Sequence, residues 1–230
     1  QVAIKNNNLY MIEVNPRASR TIPFLSKCIG ISLAKIASKV IAGKSLKDLG
    51  ITSEILPTSY AVKAPVFPFN KFRKVDPILG PEMKSTGEVM GRGKTFGEAF
   101  GKSMMGAGQL IPSKGNVFIS VKDEDKSQLK TLCTKLKSLG FSFIATKGTG
   151  LKMKEEGFEV KIINKVMEGR PHIVDAILNN EVSMVINTTE GRQSIKDSYS
   201  IRRPALEHNV FLTTTISGGF AIVESLDCLL

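Results

Sequence analysis

The spacing of apolar positions changes several times along the chain. Leu9 to Val14 is an apolar and aromatic run of strand length, and with Gln1–Lys5 it predicts a hairpin across Asn6-Asn7-Asn8. A three-residue loop there sets Gln1 opposite Glu13. Leu33, Ile36, Ala37, Val40 and Ile41 then recur at helical spacing, with Ser32 placed to cap the start and Gly43 to stop the end. Ser45 to Leu49 predicts one further helical turn, ended by Gly50. From Pro57 to Met90 the pattern is lost among prolines and glycines. Short apolar stretches such as Ala64-Pro65-Val66-Phe67-Pro68 predict an irregular segment that wraps a domain. Thr95-Phe96-Gly97-Glu98 reads as a capping box, followed by a helix whose buried face carries Phe96, Ala99 and Phe100.

Beyond Gly106-Ala107-Gly108 and Pro112 the pattern alternates between strand and helix, so a boundary is expected at 110/111. Strands are predicted at Val117–Val121, Phe141–Ala145, Val160–Ile163, Met184–Asn187 and Val210–Thr213. Leu129, Leu132, Cys133, Leu136 and Leu139 line one helix face between the first two strands. Further helices are expected at His172–Asn179 and from Phe220 to the end, and Pro204 should kink or begin the helix before the last strand. Alternating units of this kind imply an α/β fold, a parallel sheet covered on both sides.

Composition narrows the function classes. The 230 residues are 42% hydrophobic, long enough for two modest domains, and hold no apolar run of membrane-spanning length. The chain opens on Gln1 with no signal-peptide pattern, and reads as a fragment of something longer. The net charge of +11 is uneven: residues 1–111 hold 16 Lys+Arg against 7 Asp+Glu, residues 112–230 hold 16 against 14. The lysines are scattered, Trp is absent and aromatics do not interleave with charge, which argues against nucleic acid and for anionic small molecules or acidic partner surfaces. Cys28, Cys133 and Cys228 lie far apart without metal spacing, as reduced thiols of a cytoplasmic protein do. His172 and His208 lack a ligand-spaced partner and read as structural.

The first candidate site is Glu13-Val14-Asn15-Pro16-Arg17-Ala18-Ser19-Arg20-Thr21. Glu13 and Asn15 are two apart on an extended segment and share a face, offering a carboxylate and a carboxamide oxygen to a hard cation. Pro16 ends the ladder, and Arg17 and Arg20 follow where guanidinium forks can hold phosphoryl oxygens. Oxygen ligands next to two arginines suit phosphoryl transfer. The same residues also fit a turn with a surface salt bridge.

The second candidate lies at the carboxyl ends of the predicted strands, where open α/β sheets bind ligands. Ser120, Lys126, Thr146-Lys147-Gly148-Thr149, Lys165 and Asn187-Thr188-Thr189-Glu190-Gly191 gather there. Thr146 and Thr149 bracket a strand-to-helix turn that favours a phosphate, Lys126 and Lys165 could neutralise it, and Asn187 and Thr189 could read a base or ribose. An ordinary helix cap accounts for the threonine pair equally well.

The motif from Glu13 to Thr21 resembles the last strand of the ATP-grasp fold as carried by the carbamoyl phosphate synthetase large-subunit family. The resemblance continues in order through Val62-Lys63, Phe69-Asn70-Lys71-Phe72, Asp76-Pro77, Gly80-Pro81-Glu82-Met83 and Ser85-Thr86-Gly87-Glu88-Val89-Met90-Gly91. It runs on in Asn164-Lys165-Val166, Glu168-Gly169-Arg170-Pro171-His172 and Ile186-Asn187-Thr188-Thr189. It implies that residues 1–110 are the C-terminal portion of the second, carbamate-phosphorylating ATP-grasp α+β domain. Residues 111–230 are then a doubly wound, Rossmann-like regulatory domain resembling methylglyoxal synthase.

By that resemblance the parent is an ATP-dependent ligase that makes carbamoyl phosphate from bicarbonate, glutamine-derived ammonia and two ATP, for pyrimidine and arginine synthesis. Gln1, Glu13 and Asn15 would hold Mg²⁺ or Mn²⁺, and Arg17 and Arg20 would act on ATP phosphate. Ser120, Lys126, Thr146, Thr149, Lys165, Asn187, Thr188 and Thr189 would bind an allosteric nucleotide, UMP or IMP. Implied partners are the rest of the large subunit and a small glutamine amidotransferase subunit, in an oligomer of heterodimers. Members that respond to ornithine offer an acidic residue after Val62-Lys63, where this chain has Ala64, though Thr214 is retained. The Gly-Gly-Asp-Gln segment of free-standing methylglyoxal synthases is absent, which favours binding over catalysis. A regulatory nucleotide-binding module without turnover is the alternative to an enzyme part.

Overall fold

The computed structural model describes all residues except Ala18, 72–74, 80–83 and Leu230, and gives Asn70 and Arg192–Ser194 without their side chains. Parts of Phe69-Asn70-Lys71-Phe72, all of Gly80-Pro81-Glu82-Met83, and Ala18 of the first motif therefore lie outside the described residues. The chain divides into two compact units, Gln1–Ser59 and Tyr60–Leu230.

In the first unit β1 (Val2–Lys5) pairs antiparallel with β2 (Asn8–Met11). The loop is two residues, not three. Asn6 and Asn7 both adopt positive φ, 51° and 60°, the conformation of a type I′ turn whose twist matches the flanking strands. The register therefore pairs Lys5 with Asn8 and Val2 with Met11. At the open end the Ile12 and Glu13 N–H groups both point at the Gln1 carbonyl, at 2.9 and 3.4 Å, and the Gln1 nitrogen donates to the Glu13 carbonyl at 2.7 Å. Ile12 and Glu13 together thus stand across from Gln1 as in a β-bulge, and Glu13 is the partner expected for it. The regular strand stops at Met11, so Glu13 and Asn15 follow it rather than lying within it.

Helix α1 (Thr21–Ile29) follows, with Pro23 in its first turn, where a missing N–H costs nothing. Its spacing did not stand out beside the stronger pattern of α2 (Leu33–Ile41), which forms as expected. Ser32 Oγ accepts the Lys35 N–H at 3.4 Å, and Gly43 takes φ 94° just beyond the end. Ser45 and Asp48 close the predicted single turn by reciprocal bonds, ended by Gly50 at φ 72°.

The second unit begins with a correction. Within the stretch expected to be irregular, β3 (Tyr60–Val66) and β4 (Gly87–Gly93) form an antiparallel pair. Helix α3 (Phe96–Gly106) packs on it, capped by Thr95 Oγ1, which accepts the Glu98 N–H at 3.2 Å. Glu98 completes a variant of the capping box, accepting from the Lys94 N–H at 2.7 Å rather than from Thr95. Ala99 is fully buried and Phe100 packs half-buried against the main core as expected, but Phe96 is exposed; the fully buried face is otherwise small, carrying Gly97, Gly101 and Ser103. A Cβ at Gly91 would lie 1.9 Å from the Ala99 carbonyl oxygen, so β4 approaches this helix only with glycine there.

The remaining chain alternates β5 (Gly115–Ser120), α4 (Leu129–Ser138), β6 (Phe141–Thr146), α5 (Lys147–Glu155), β7 (Lys161–Ile163), α6 (Ile173–Leu178) and β8 (Met184–Asn187). It ends with α7 (Gly191–Asp197), α8 (Tyr199–Glu207), β9 (Phe211–Thr213) and α9 (Ile216–Leu229). The five strands are parallel in the order β7-β6-β5-β8-β9, the doubly wound arrangement expected. Alternate residues serve opposite faces: Val117 and Ile119 join Leu132, Leu136 and Ile222 in one core, while Phe118 joins Ile173, Ile177 and Ala205 in the other. Burying each such side chain contributes about 1.5–3 kcal/mol. Pro204 sits inside α8, where its missing N–H gives up the bond to the Ser200 carbonyl. The last helix starts at Ile216, ahead of the expected Phe220. Among the described residues no helix is long and apolar enough to cross a membrane.

Candidate functional site

The direction of chain crossover reverses between β5 and β8, and a cleft of about 490 Å³ opens at the carboxyl ends of the strands there. Ser120, Lys126, Thr146, Thr149, Lys165, Asn187, Thr188 and Thr189 all line it. The ends of three adjacent strands supply Ser120, Thr146 and Asn187, and parallel pairing aligns Ser120 with Asn187 directly. Ser120 and Thr146 hydroxyls stand 3.0 Å apart.

Two of these residues are partly committed to the frame. Thr149 Oγ1 accepts the Val121 N–H at 3.1 Å, pinning α5 to the end of β5. Thr188 Oγ1 accepts the Lys122 N–H at 3.0 Å and ties the β8 loop to the β5 loop. Thr146 flanks the start of α5 with extended backbone and no side-chain cap bond, so the first helical N–H groups face outward for an anion. A Cβ at Gly148 would meet nothing nearer than Lys126 Nζ at 3.7 Å.

The cations of the cleft are not equivalent. Lys126 Nζ lies 2.7 Å from Asp123, whose carboxyl it pulls below the usual range by that hydrogen bond. Lys122 Nζ lies 2.6 Å from Glu124, which holds its ammonium above the usual lysine value. Lys165 is exposed, and its backbone N–H is held by Glu168 Oε2 at 3.1 Å. Asn187 is 3% exposed, and its Nδ2 is the buried side-chain polar atom without a partner among the described residues. A buried donor left unpaired costs about 1–3 kcal/mol, so a ligand offering an acceptor there would recover that cost.

The opposite wall comes from residues that spacing could not connect to the strand ends. Val166, Met167 and Glu168 of a 3₁₀ turn, Ile173 of α6, and Asp197, Ser198 and Ile201 at the α7–α8 corner all face the cleft. They lie on connections, and only sheet closure brings them opposite Ser120 and Asn187. The histidines are structural: His172 caps α6, its N–H donating to Asp175 Oδ2 at 3.0 Å, and His208 Nδ1 lies 3.4 Å from Asn180 Oδ1.

In the first unit Asn15 Nδ2 donates to Glu13 Oε1 at 2.9 Å, which brings the two exposed side chains together. Gln1 is joined to them through its main chain, its nitrogen 2.7 Å from the Glu13 carbonyl oxygen. Arg17 and Arg20 are exposed beyond them, Arg20 at the start of α1. No group of three or more His, Cys, Asp or Glu is placed to hold a metal among the described residues. One carboxylate with amide oxygens does fit a magnesium-type ion held largely by substrate phosphates. In the second unit Ala64 is buried and apolar, and the neighbouring Lys63 pairs with Glu88 at 2.9 Å.

Two family models match the chain: "Carbamoyl-phosphate synthase L chain, ATP binding domain" over residues 1–49, and "MGS-like domain" over residues 128–214. Over 226 residues the chain is 61% identical to the carbamoyl phosphate synthase large chain of Pseudomonas putida, covering 98% of this chain and 21% of that one. That of Buchnera aphidicola is 53% identical over 99% of this chain and 21% of its own length. That of Xanthomonas campestris is 52% identical over 95% and 20%. The chain thus spans about a fifth of the length of these relatives. With an ATP-binding segment ahead of an MGS-like sheet, and more than half of its residues identical to theirs, the chain belongs to the carbamoyl phosphate synthase large-chain family.

Proposed function

We propose that this chain is the C-terminal part of the large subunit of a glutamine-hydrolysing carbamoyl phosphate synthetase, and that its cleft is the effector site for a nucleoside monophosphate, UMP or IMP. The parent enzyme would be a cytoplasmic ligase joining bicarbonate and glutamine-derived ammonia at the expense of two ATP, feeding pyrimidine and arginine synthesis. It would work with a small amidotransferase subunit in an oligomer of heterodimers. Glu13 and Asn15, with Gln1, would hold Mg²⁺ or Mn²⁺ against ATP phosphates, and Arg17 and Arg20 would hold phosphoryl oxygens. The bound ion would supply charge neutralisation at the transferring phosphate.

The observation that carries the effector reading is the unpartnered Asn187 Nδ2, buried at the crossover point beside the start of α5. A nucleotide's phosphate would sit on the α5 amides, Thr146 and Lys165, leaving Asn187 and Thr189 for ribose or base. Thr149 would act mainly by holding α5 in place. The alternative of a module without turnover would describe the isolated chain, since Gln1, Glu13 and Asn15 are all exposed.

Titration of UMP, IMP and their nucleosides into the 230-residue chain tests this. Lys165→Ala should weaken nucleotide binding about 10- to 100-fold, as loss of one charge-assisted bond does, and leave nucleoside binding unchanged. Asn187→Ala should instead alter the preference between UMP and IMP. Unchanged nucleotide affinity in Lys165→Ala would remove the phosphate from these strand ends.

A further inference from the structure

Arg202 is buried to 2% exposure on α8, yet the cleft does not use it. Its guanidinium reaches Asp76, 126 residues earlier, bidentately: Nε donates to Oδ1 at 2.9 Å and Nη2 to Oδ2 at 2.5 Å. Nη2 also donates to the Ile195 carbonyl of α7 at 2.9 Å, so one guanidinium holds α7, α8 and the segment around Asp76 together. Asp76 Oδ1 in turn accepts the Ile78 N–H at 3.1 Å. Beside this pair, Arg203 donates to the Phe69 carbonyl at 3.2 Å, a second tie to the same connection between β3 and β4.

The other end of this clamp is the cleft wall. Ser198 and Asp197, at the α7–α8 corner, and Ile201, just before Arg202, all line the cleft. The Ser198 carbonyl accepts the Arg202 N–H at 3.0 Å, which places the clamp one hydrogen bond from the wall. A desolvated guanidinium held in a fixed fork resists displacement, because leaving the Arg202 charge unpaired inside the protein is costly while Asp76 stays partly exposed. The position of the α7–α8 corner and the closure of the Asp76 pair are therefore mechanically tied.

We propose that Asp76 and Arg202 are positioning residues that couple nucleotide occupancy of the cleft to the segment between β3 and β4. This rests on the nucleotide reading of the cleft. Occupancy that draws the α7–α8 corner onto the ligand holds the clamp closed, and by linkage a closed clamp raises nucleotide affinity by the same factor.

The test uses the whole 230-residue chain. Nucleotide affinity is measured by calorimetry, and exchange of the Ile78 amide, whose proton sits on Asp76, is followed by NMR with and without saturating UMP or IMP. In the wild type the ligand should slow Ile78 exchange about 10-fold, a typical coupling factor. Asp76→Asn keeps the acceptor for Ile78 but weakens the fork. It should lower nucleotide affinity about 10-fold and abolish the ligand-dependent slowing. Arg202→Lys, which keeps the charge and loses the fork, should do the same. A merely structural pair would change stability without changing the ligand dependence of Ile78 exchange. Nucleotide binding to the wild type with Ile78 exchange unaltered would overturn the coupling and leave the effector site standing. Absence of UMP and IMP binding to the wild type would overturn both. If either variant fails to fold, the wild-type comparison decides alone.

Discussion

Cys133 and Cys228 carry the same thiol in opposite surroundings. Cys133 is fully buried among Leu132, Leu136 and the strand residues of one core, and burial pushes its thiol up to about 12. Cys228 is exposed, its Sγ 3.2 Å from Thr95 Oγ1. Only the thiolate is alkylated, so native protein at pH 8 should incorporate iodoacetamide at Cys228 while Cys133 stays unmodified until the chain is unfolded in urea. Mass spectrometry of the labelled peptides reads this directly, and native labelling of Cys133 would show that its core opens. Asn187 is a third case in which surroundings decide the chemistry. Asparagines occur throughout the chain, but this one has its carboxamide donor sealed from water without a partner.

At the scale of elements, the crossing of α3 and α9 depends on small residues. A Cβ at Gly97 would stand 2.3 Å from the Glu224 carbonyl oxygen, and one at Gly101 would stand 2.6 Å from Leu229. Gly97→Ala should raise helix propensity yet lower stability by about 1–3 kcal/mol, because overpacking against backbone outweighs the propensity gain. Gly106→Ala, on the same helix, meets Val89 at an ordinary 3.5 Å and should be neutral or gain up to about 1 kcal/mol. Urea unfolding of the two variants separates the effects; equal stability would mean that α9 shifts freely on α3. The two-residue Asn6-Asn7 turn is decisive in another way. One residue fewer in the loop moves the register by one, and Glu13 still meets Gln1 because Ile12 and Glu13 both stand across from it.

At the scale of the molecule, the hairpin that bears Glu13 is apolar and uncovered. Ile4 is 72% exposed, Met11 64% and Val14 75%. Exposed apolar strands of this length mark an interaction surface, and the relatives that this chain matches are about five times as long. A phosphoryl group is held productively only when ligands converge from more than one side. The 230-residue chain should therefore show no micromolar affinity for Mg·ATP by calorimetry, while still binding the effector nucleotide. Tight Mg·ATP binding would mean that Glu13, Asn15 and the two arginines suffice without an opposing wall.

The sequence by itself determined the elements that rest on local rules. The helix at Leu33–Ile41 with its Ser32 cap, the leucine face from Leu129 to Leu136 and the strand Met184–Asn187 follow from spacing and capping, which act within a few residues. It also placed Ser120, Thr146, Lys165 and Asn187 at strand ends, where a parallel sheet gathers ligand-binding groups. What the tertiary structure decided were the long-range choices. Strands β3 and β4 were hidden among prolines and glycines because their stability comes from pairing with each other and from α3 lying against Gly91. The buried side of α3 went to Gly97 and Ala99 rather than Phe96 because Gly97 faces the α9 backbone and Ala99 faces Gly91 and Gly93 of β4, where only small residues fit. The α7–α8 wall of the cleft and the bond from Arg202 to Asp76 could not be read from spacing. The partners are far apart in sequence, and a guanidinium and a carboxylate carry no mark of each other until folding removes the water between them.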